Sequence, residues 1–505
     1  MKTRKIKPHK TFTFPAYRFI IKLVFLFEAF IRINRICWVG VKMIEQEQAG
    51  VVKTKEKAEE ELSKGELRKS IIAFTWPCMA ELMLVSLISI VNLSMVGHLG
   101  AYAISAVGLT NQPVFISIAV FQAFNIGATA LVARFIGAKE YANAKTVVIQ
   151  TLIVSVISGI ILSIIGFIFS ERIVVAMGAQ EDTVAYATLY MKYMSIGIFF
   201  QAIPTAVTSI LRGAGDTKSP MRYNISSNIV NVAAGFVLIN GFWFIPQLGV
   251  EGAAIATTLA KLTACVLSIL AILRCNLPVA VSLKDTFKLD FGMLKRIMNI
   301  GVAAAGEQFA MRLGFLIYTK VVADLGTVPF AAHQVCISIT GLSFNFGQAL
   351  GMASTSFMGR NLGAKKPELA AVYCTELRRI AMAASLVISA CFFFGGSLIA
   401  RLFTPDVSVI AITAFLLKII VLMTPAQNSQ LVLSGGLRGA GDTKWPLVAV
   451  VAGVLLIRVP LVLLLIKVFH FGVGAAWAAA VVDQYVRSIV VFLRFRGGRW
   501  KLVKV

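Results

Sequence analysis

Leu211-Arg-Gly-Ala-Gly-Asp-Thr-Lys218 stands between two long apolar stretches and returns letter for letter as Leu437-Arg-Gly-Ala-Gly-Asp-Thr-Lys444. The offset is 226 residues (437 − 211), and each copy is followed, one residue on, by a proline, Pro220 or Pro446. Glycine lets the backbone turn at a helix end, Asp216 or Thr217 can cap the next helix, and proline suits its first turn. Neither copy is a nucleotide loop. A dinucleotide fingerprint needs a third glycine where Lys218 stands, and a P-loop needs Gly-Lys-Ser/Thr directly after its loop. No strand pattern precedes either copy. Arg212, Gly213, Gly215 and Asp216, with Arg438, Gly439, Gly441 and Asp442, therefore read as one structural loop used twice in a tandem duplication.

The register extends outward from this loop. At the same offset Gly100 meets Gly326, Gln122-Ala123 meets Gln348-Ala349, Arg134 meets Arg360, and Gly137-Ala-Lys139 meets Gly363-Ala-Lys365. Beyond the loop, Gly249-Val250 and Gly472-Val473 align after a short deletion. Shared apolar composition would match alanines and valines by chance, but not Gln, Arg and Lys in register.

With 58% hydrophobic and 14% charged residues over 505 positions, and a mean hydropathy of +0.81, the chain is too apolar for a soluble globular protein. Twelve apolar segments are long enough to cross a bilayer as tilted helices. They run over about 70–96, 103–133, 142–169, 184–211, 219–241 and 249–273, then 293–323, 328–359, 368–398, 408–436, 446–469 and 472–494. The expected fold is an all-α membrane protein, twelve transmembrane helices in two six-helix repeats. An even number of spans per repeat makes the repeats parallel, related by an axis along the membrane normal. The organisation is an N-lobe over 69–274, an inter-lobe linker over 275–292, a C-lobe over 293–494 and a basic tail over 495–505.

A formal charge of +25 invites a nucleic-acid reading, but in such a chain Lys and Arg crowd the cytoplasmic loops. The even-numbered loops hold Arg134, Arg212, Arg274, Arg360 and Arg438 with neighbouring lysines, whereas the odd-numbered loops carry only Arg172, Arg401 and Lys467. Both termini are expected inside, in a plasma membrane, the inner membrane of a bacterium. Residues 1–68 differ from the rest: Arg18, Lys22, Glu28, Arg32 and Arg35 interrupt the apolar stretch over 17–41. That stretch reads either as an interfacial amphipathic helix or as sequence upstream of a true start at Met43. The seven cysteines show no paired or metal-ligand spacing, so neither thiol nor metal catalysis has a foothold, and no enzyme is expected.

Val96-Gly-His-Leu-Gly100, Gly137-Ala-Lys139, the two octamers and Ala331-Ala-His-Gln334 resemble the multidrug and toxic compound extrusion (MATE) family, in the family's order and over about Leu67–Leu493. The resemblance implies two six-helix lobes around a central cavity and export by rocking of the lobes. It implies no cofactor beyond a coupling cation, H⁺ or Na⁺, and small organic compounds as cargo, cationic or zwitterionic amphiphiles first and a lipid-linked or anionic amphiphile as the alternative. A monomer is expected. Many family members carry an aspartate four residues before the Val-Gly of the first helix, where it takes part in ion coupling. Here that position is Asn92, which can coordinate Na⁺ or a substrate but cannot carry a proton.

Charged residues inside a membrane are costly and point to function. Glu81 and Glu307 are 226 apart, hence equivalent, and helical rise places each roughly 16 Å from a helix end. They are the expected proton carriers, with Asn92 on the same face as Glu81. Lys192 with Lys418, and Gln201 with Gln427, form two further pairs at the same offset. The lysines either snorkel to the outer headgroups or face the cavity, where they would favour an anion. Gln122 and Gln348 read as interhelical hydrogen-bond partners. Asp483 and Arg487 read as an intrahelical pair, and His333 as a hydrogen-bonded packing residue. Arg312, Lys320 and Arg458 lack counterparts in the repeat, and the sequence assigns them no role.

Overall fold

The computed structural model describes residues 64–503 other than 100, 180, 242–245, 276, 278 and 282–287. Internal contacts divide the chain into Met1–Leu67 and Arg68–Val505. The two readings of the N-terminal extension lie outside the described residues.

Among the described residues twelve long helices follow one another: α1 (Lys64–Gly97), α2 (Ala101–Gly137), α3 (Tyr141–Ile168), α4 (Glu181–Ala214), α5 (Lys218–Asn240) and α6 (Gly249–Arg274) form the first repeat. The second comprises α7 (Phe291–Ala323), α8 (Thr327–Gly363), α9 (Pro367–Arg401), α10 (Val407–Gly439), α11 (Lys444–Val468) and α12 (Val473–Arg496). Among the described residues there is no strand. In a bilayer this is expected, because a helix satisfies its backbone polar groups within itself. Eleven of the helices are long and apolar enough to span a membrane. The exception is α5, which has the length but carries Arg222, Asn224, Asn228 and Asn231. Its asparagines face an internal cavity rather than lipid, which explains the departure.

The repeats share their packing in atomic detail. In the first, Thr129 Oγ1 on α2 donates to Ser209 O on α4 at 3.0 Å; in the second, Thr355 Oγ1 on α8 donates to Gly435 O on α10 at 2.8 Å. All four positions agree at the 226 offset. A Cβ at Gly213 would press on the Thr129 backbone, and one at Gly439 on that of Thr355, so glycine sets both helix separations. The octamers turn alike as well, with φ +97° at Gly215 and +85° at Gly441, the left-handed region open to glycine. Asp216 Oδ1 accepts from the backbone N–H of Lys218 (2.9 Å) and Ser219 (3.0 Å) at the start of α5, the expected cap. Asp442 instead accepts from Arg494 Nε of α12 at 2.7 Å.

The repeats meet at the end of the bundle that carries the octamers, here the motif end. A Cβ at Gly137 would collide with the carbonyl oxygen of Arg360, and one at Gly363 with that of Arg134. Deeper in, Gly127 abuts Ile297 and Gly301 abuts Ala123, so α2 and α7 cross backbone to backbone. Ser356 Oγ donates to Arg212 O at 2.9 Å, and Arg134 Nη2 to Val503 O at 3.1 Å. These contacts join the first repeat to the second or, through Val503, to the tail that follows it, and together they close the motif end.

Candidate substrate cavity

Between the repeats lies a cavity of about 910 Å³, lined by both. Of the residues singled out in the sequence, Glu81, Asn92, Gln201, Glu307 and Gln427 line it, as do Arg212 and Arg438. Gln122 and Gln348 line it too. Lys192 and Lys418 do not. Both side chains are exposed on the outer surface of the helices, and Lys418 Nζ sits 6.0 Å from the Phe393 ring centroid. Exposure at both positions is what a long side chain reaching for the headgroups would show.

The two glutamates are not bare carboxyls. Arg212, in the last turn of α4, turns back into the bundle and places Nη2 2.8 Å from Glu81 Oε2 on α1. Asn224 Nδ2 on α5 donates to Glu81 Oε1 at 2.8 Å. In the second repeat Arg438, in the last turn of α10, grips both oxygens of Glu307: Nε donates to Oε2 at 3.2 Å and Nη2 to Oε1. Glu81 and Glu307, the expected proton carriers, thus each lie against a guanidinium, a pairing the sequence reading did not anticipate. Arg212 and Arg438, members of the repeated loop motif expected at the ends of the fourth and tenth helices, do lie in the last turns of those helices. A buried carboxylate needs a partner, and the arginine three positions before the turning glycine is long enough to supply one.

Residues that the sequence passed over complete the lining. Lys261 on α6 packs its stem on Gly197 of α4, and its Nζ is buried without a hydrogen-bond partner among the described residues. Arg312 on α7 stands 5.1 Å from the Phe115 ring centroid on α2, a cation–π contact between the repeats. Asp483 and Arg487 do pair along α12, at 2.8 Å, but Arg458 of α11 joins them, also at 2.8 Å from Asp483 Oδ2. Residues 451–458 of α11 follow wide π-type turns, a distortion common at functional sites. Gly453 lies within them, and a Cβ there would strike Asp483 and Arg487, so glycine lets α12 approach. His333 is buried among Tyr318, Phe330 and Trp477, with ring centroids 5.4, 6.3 and 5.5 Å away. Neither of its nitrogens has a partner among the described residues, so it packs by aromatic contact and not by the hydrogen bond expected.

The cavity is thus lined by six basic side chains, Arg212, Lys261, Arg312, Arg438, Arg458 and Arg487, against two carboxylates, Glu81 and Glu307. Counting Asp483 just behind the wall, three positive charges remain unmatched among the described residues. Among the described residues no cluster of His, Cys, Asp and Glu has the makings of a metal site.

A duplicated all-helical bundle with a polar chamber between its repeats is the architecture of a multi-pass membrane transporter. The MatE family model matches residues 77–237 and 303–464, and the chain belongs to that family. It is similar to the "Uncharacterized transporter YisQ" of Bacillus subtilis, 25% identical over 85% of this chain and 94% of that protein. The "Probable multidrug resistance protein NorM" of Thermotoga maritima is 26% identical over 86% of this chain and 94% of its own length. Among solved structures, the outward-facing conformation of a multidrug resistance MATE family transporter of the MOP superfamily superposes with a TM-score of 0.80 at 24% identity, covering 87% of this chain and 98% of that one. A MOP superfamily transporter from Pyrococcus furiosus, described as having a binding pocket of reverse polarity, superposes at 0.79 with 24% identity and the same coverage.

Proposed function

We propose that the protein is an ion-coupled antiporter that exports anionic amphipathic organic compounds by alternating access. The reading places it in a bacterial-type inner membrane with the motif end and both termini cytoplasmic. The observation that carries it is the charge of the cavity wall, six basic side chains to two carboxylates. An unmatched cation in a membrane interior is costly, and a negatively charged cargo offsets that cost. The same count weighs against the cationic or zwitterionic cargo that the family resemblance puts first. The multidrug resistance assigned by name to the Thermotoga relative supports organic cargo, and the basic residues of the even-numbered loops support the orientation.

Antiport requires cargo and coupling ion to exclude one another. A proton on Glu81 or Glu307 would release Arg212 or Arg438 to an anion, so ion and cargo would bind together there. The coupling ion of this reading therefore binds away from the two pairs, and Na⁺ at the amide oxygens of Asn92, Gln201 and Gln427 is the better fit than H⁺. Proteoliposomes separate these alternatives. Pyrenebutyrate should be driven out by an opposing Na⁺ gradient and ethidium should not; transport of ethidium alone would overturn the proposal, and transport of pyrenebutyrate driven by ΔpH alone would overturn its coupling.

A further inference from the structure

Arg458 and Arg487 share one carboxylate, and the sharing is lopsided. Both Nη2 groups are 2.8 Å from the same oxygen, Asp483 Oδ2, while Oδ1 has no hydrogen-bond partner among the described residues. Neither arginine's Nε has one either. Arg487 Nη1 is directed at the thioether of Met311, 3.4 Å away, which is a weak acceptor for a charged donor. These are deeply set charges: the Asp483 side chain is 0% exposed, that of Arg487 2% and that of Arg458 12%. A purely structural bridge would spread its bonds over both carboxylate oxygens in forked pairs, as Arg438 does with Glu307. Here one positive charge and several N–H donors are left over, at a place where Arg458 opens onto the cavity.

We propose that Arg458 and Arg487 form the subsite for the acidic group of the cargo, a carboxylate or another planar or tetrahedral oxyanion. The inference rests on the anionic reading of the cavity and adds where the charge is bound. A guanidinium pair with free edges presents parallel donors to such a group, which an ammonium cannot do. The wall beside it is aromatic. The Arg458 guanidinium lies 5.4 Å from the Tyr318 ring centroid, and Trp477 lines the same cavity. The arrangement fits an aryl or alkyl acid whose apolar body rests on these rings. Asp483 then holds both arginines in place and competes with the cargo for them.

That competition gives a test that a structural bridge does not share. Fluorescence polarisation of pyrenebutyrate with the full-length protein in nanodiscs should show saturable binding that pyrenebutanol, its neutral counterpart, lacks. Arg458→Gln and Arg487→Gln should each weaken binding by roughly tenfold or more, the loss expected on truncating one partner of a desolvated charged contact. Asp483→Asn should tighten it, because the internal competitor is neutralised. Arg458→Lys, which keeps the charge and loses the fork, should fall between wild type and Arg458→Gln and supplies the readout if a glutamine variant does not fold. Unchanged affinity in folded Arg458→Gln and Arg487→Gln, or a loss in Lys261→Gln alone, would overturn the subsite and leave the anionic reading standing. Wild-type protein that binds ethidium and not pyrenebutyrate would remove both.

Discussion

Glu81 and Glu307 occupy the same place in the two repeats, yet they are held differently. Glu81 accepts one bond from Arg212 and one from Asn224, and leaves Arg212 Nε buried without a partner. Among the described residues Glu307 has only Arg438, which serves both its oxygens. The position matching Asn224 is Val450, which cannot donate. Around this shared device the lobes diverge. The first lines its half of the cavity with amides and hydroxyls and one ammonium, Lys261; the second builds the Arg458–Asp483–Arg487 cluster beside Trp477 and His333. By the shortened offset after the octamers, Asp483 and Arg487 correspond to Ala260 and Ala264, and Gln484 to Lys261. Duplication has kept the frame symmetric and let the wall of the chamber vary.

The comparison breaks most visibly at the arginines. Arg438→Ala would strand a carboxylate that is 5% exposed, a loss of about 3–5 kcal/mol for a buried pair deprived of one partner. Arg212→Ala should cost less, because Asn224 still donates to Glu81. Thermal unfolding of the purified variants in detergent would rank them, and adding Asn224→Ala to Arg212→Ala should close the gap. A first-lobe variant as damaging as the second would mean that the amide contributes nothing.

The same contrast explains what could be read from the residues. The spans, the repeat and the turning octamers were legible because they recur, and recurrence marks what holds the fold together. The pairing of Glu81 with Arg212 was also within reach: both glutamates precede their arginines by 131 residues, with opposite charges in one repeat. Taking Arg212 and Arg438 as loop charges hid it. Lys261 and Arg458 were passed over because a search for symmetric pairs discards residues without a twin. Lys192 and Lys418 were chosen for the same reason, although symmetry is equally natural on a face turned to lipid. The residues that set the charge of the cavity wall occupy asymmetric positions, and no periodicity reports which side chains from other helices will meet them.

Where the repeats remain alike, equal changes should have equal effects. Gly137→Ala and Gly363→Ala each force a methyl against the other repeat's backbone, at the end where the two are closed together. Overpacking of this kind costs about 1–3 kcal/mol. Because the strain exists only while the motif end is shut, it should appear as a shift toward opening there. Spin labels at Lys139 and Lys365, which share left-handed backbone at φ +61° and +59°, should report a longer separation in either variant and by similar amounts. A response to one substitution alone would show that closure, unlike the frame, is asymmetric.

At the opposite end the lobes differ again, on the smallest scale. Lys467 Nζ lies 2.6 Å from Asp324 Oδ2, whereas the position matching Asp324 in the first repeat is His98. The hydrogen bond and charge of Lys467 hold the Asp324 carboxyl below its ordinary value of 3.8. A carboxyl so lowered in the folded state contributes stability that is fully present above its unfolded value and is lost as pH falls through the depressed one. Both partners are open to solvent, with side chains 46% and 51% exposed, so salt screens the pair and the chains spend entropy in meeting. Asp324→Asn should therefore leave the unfolding temperature unresolved from wild type at neutral pH in ~0.15 M salt, where the screening length is only about 8 Å. Lowering the ionic strength should bring out a small deficit in the variant, which should shrink as the pH falls below 3.8 and vanish once it passes the depressed value of Asp324. A deficit that persists at ~0.15 M salt would show that the second lobe depends on its surface charge as well as on its buried pairs.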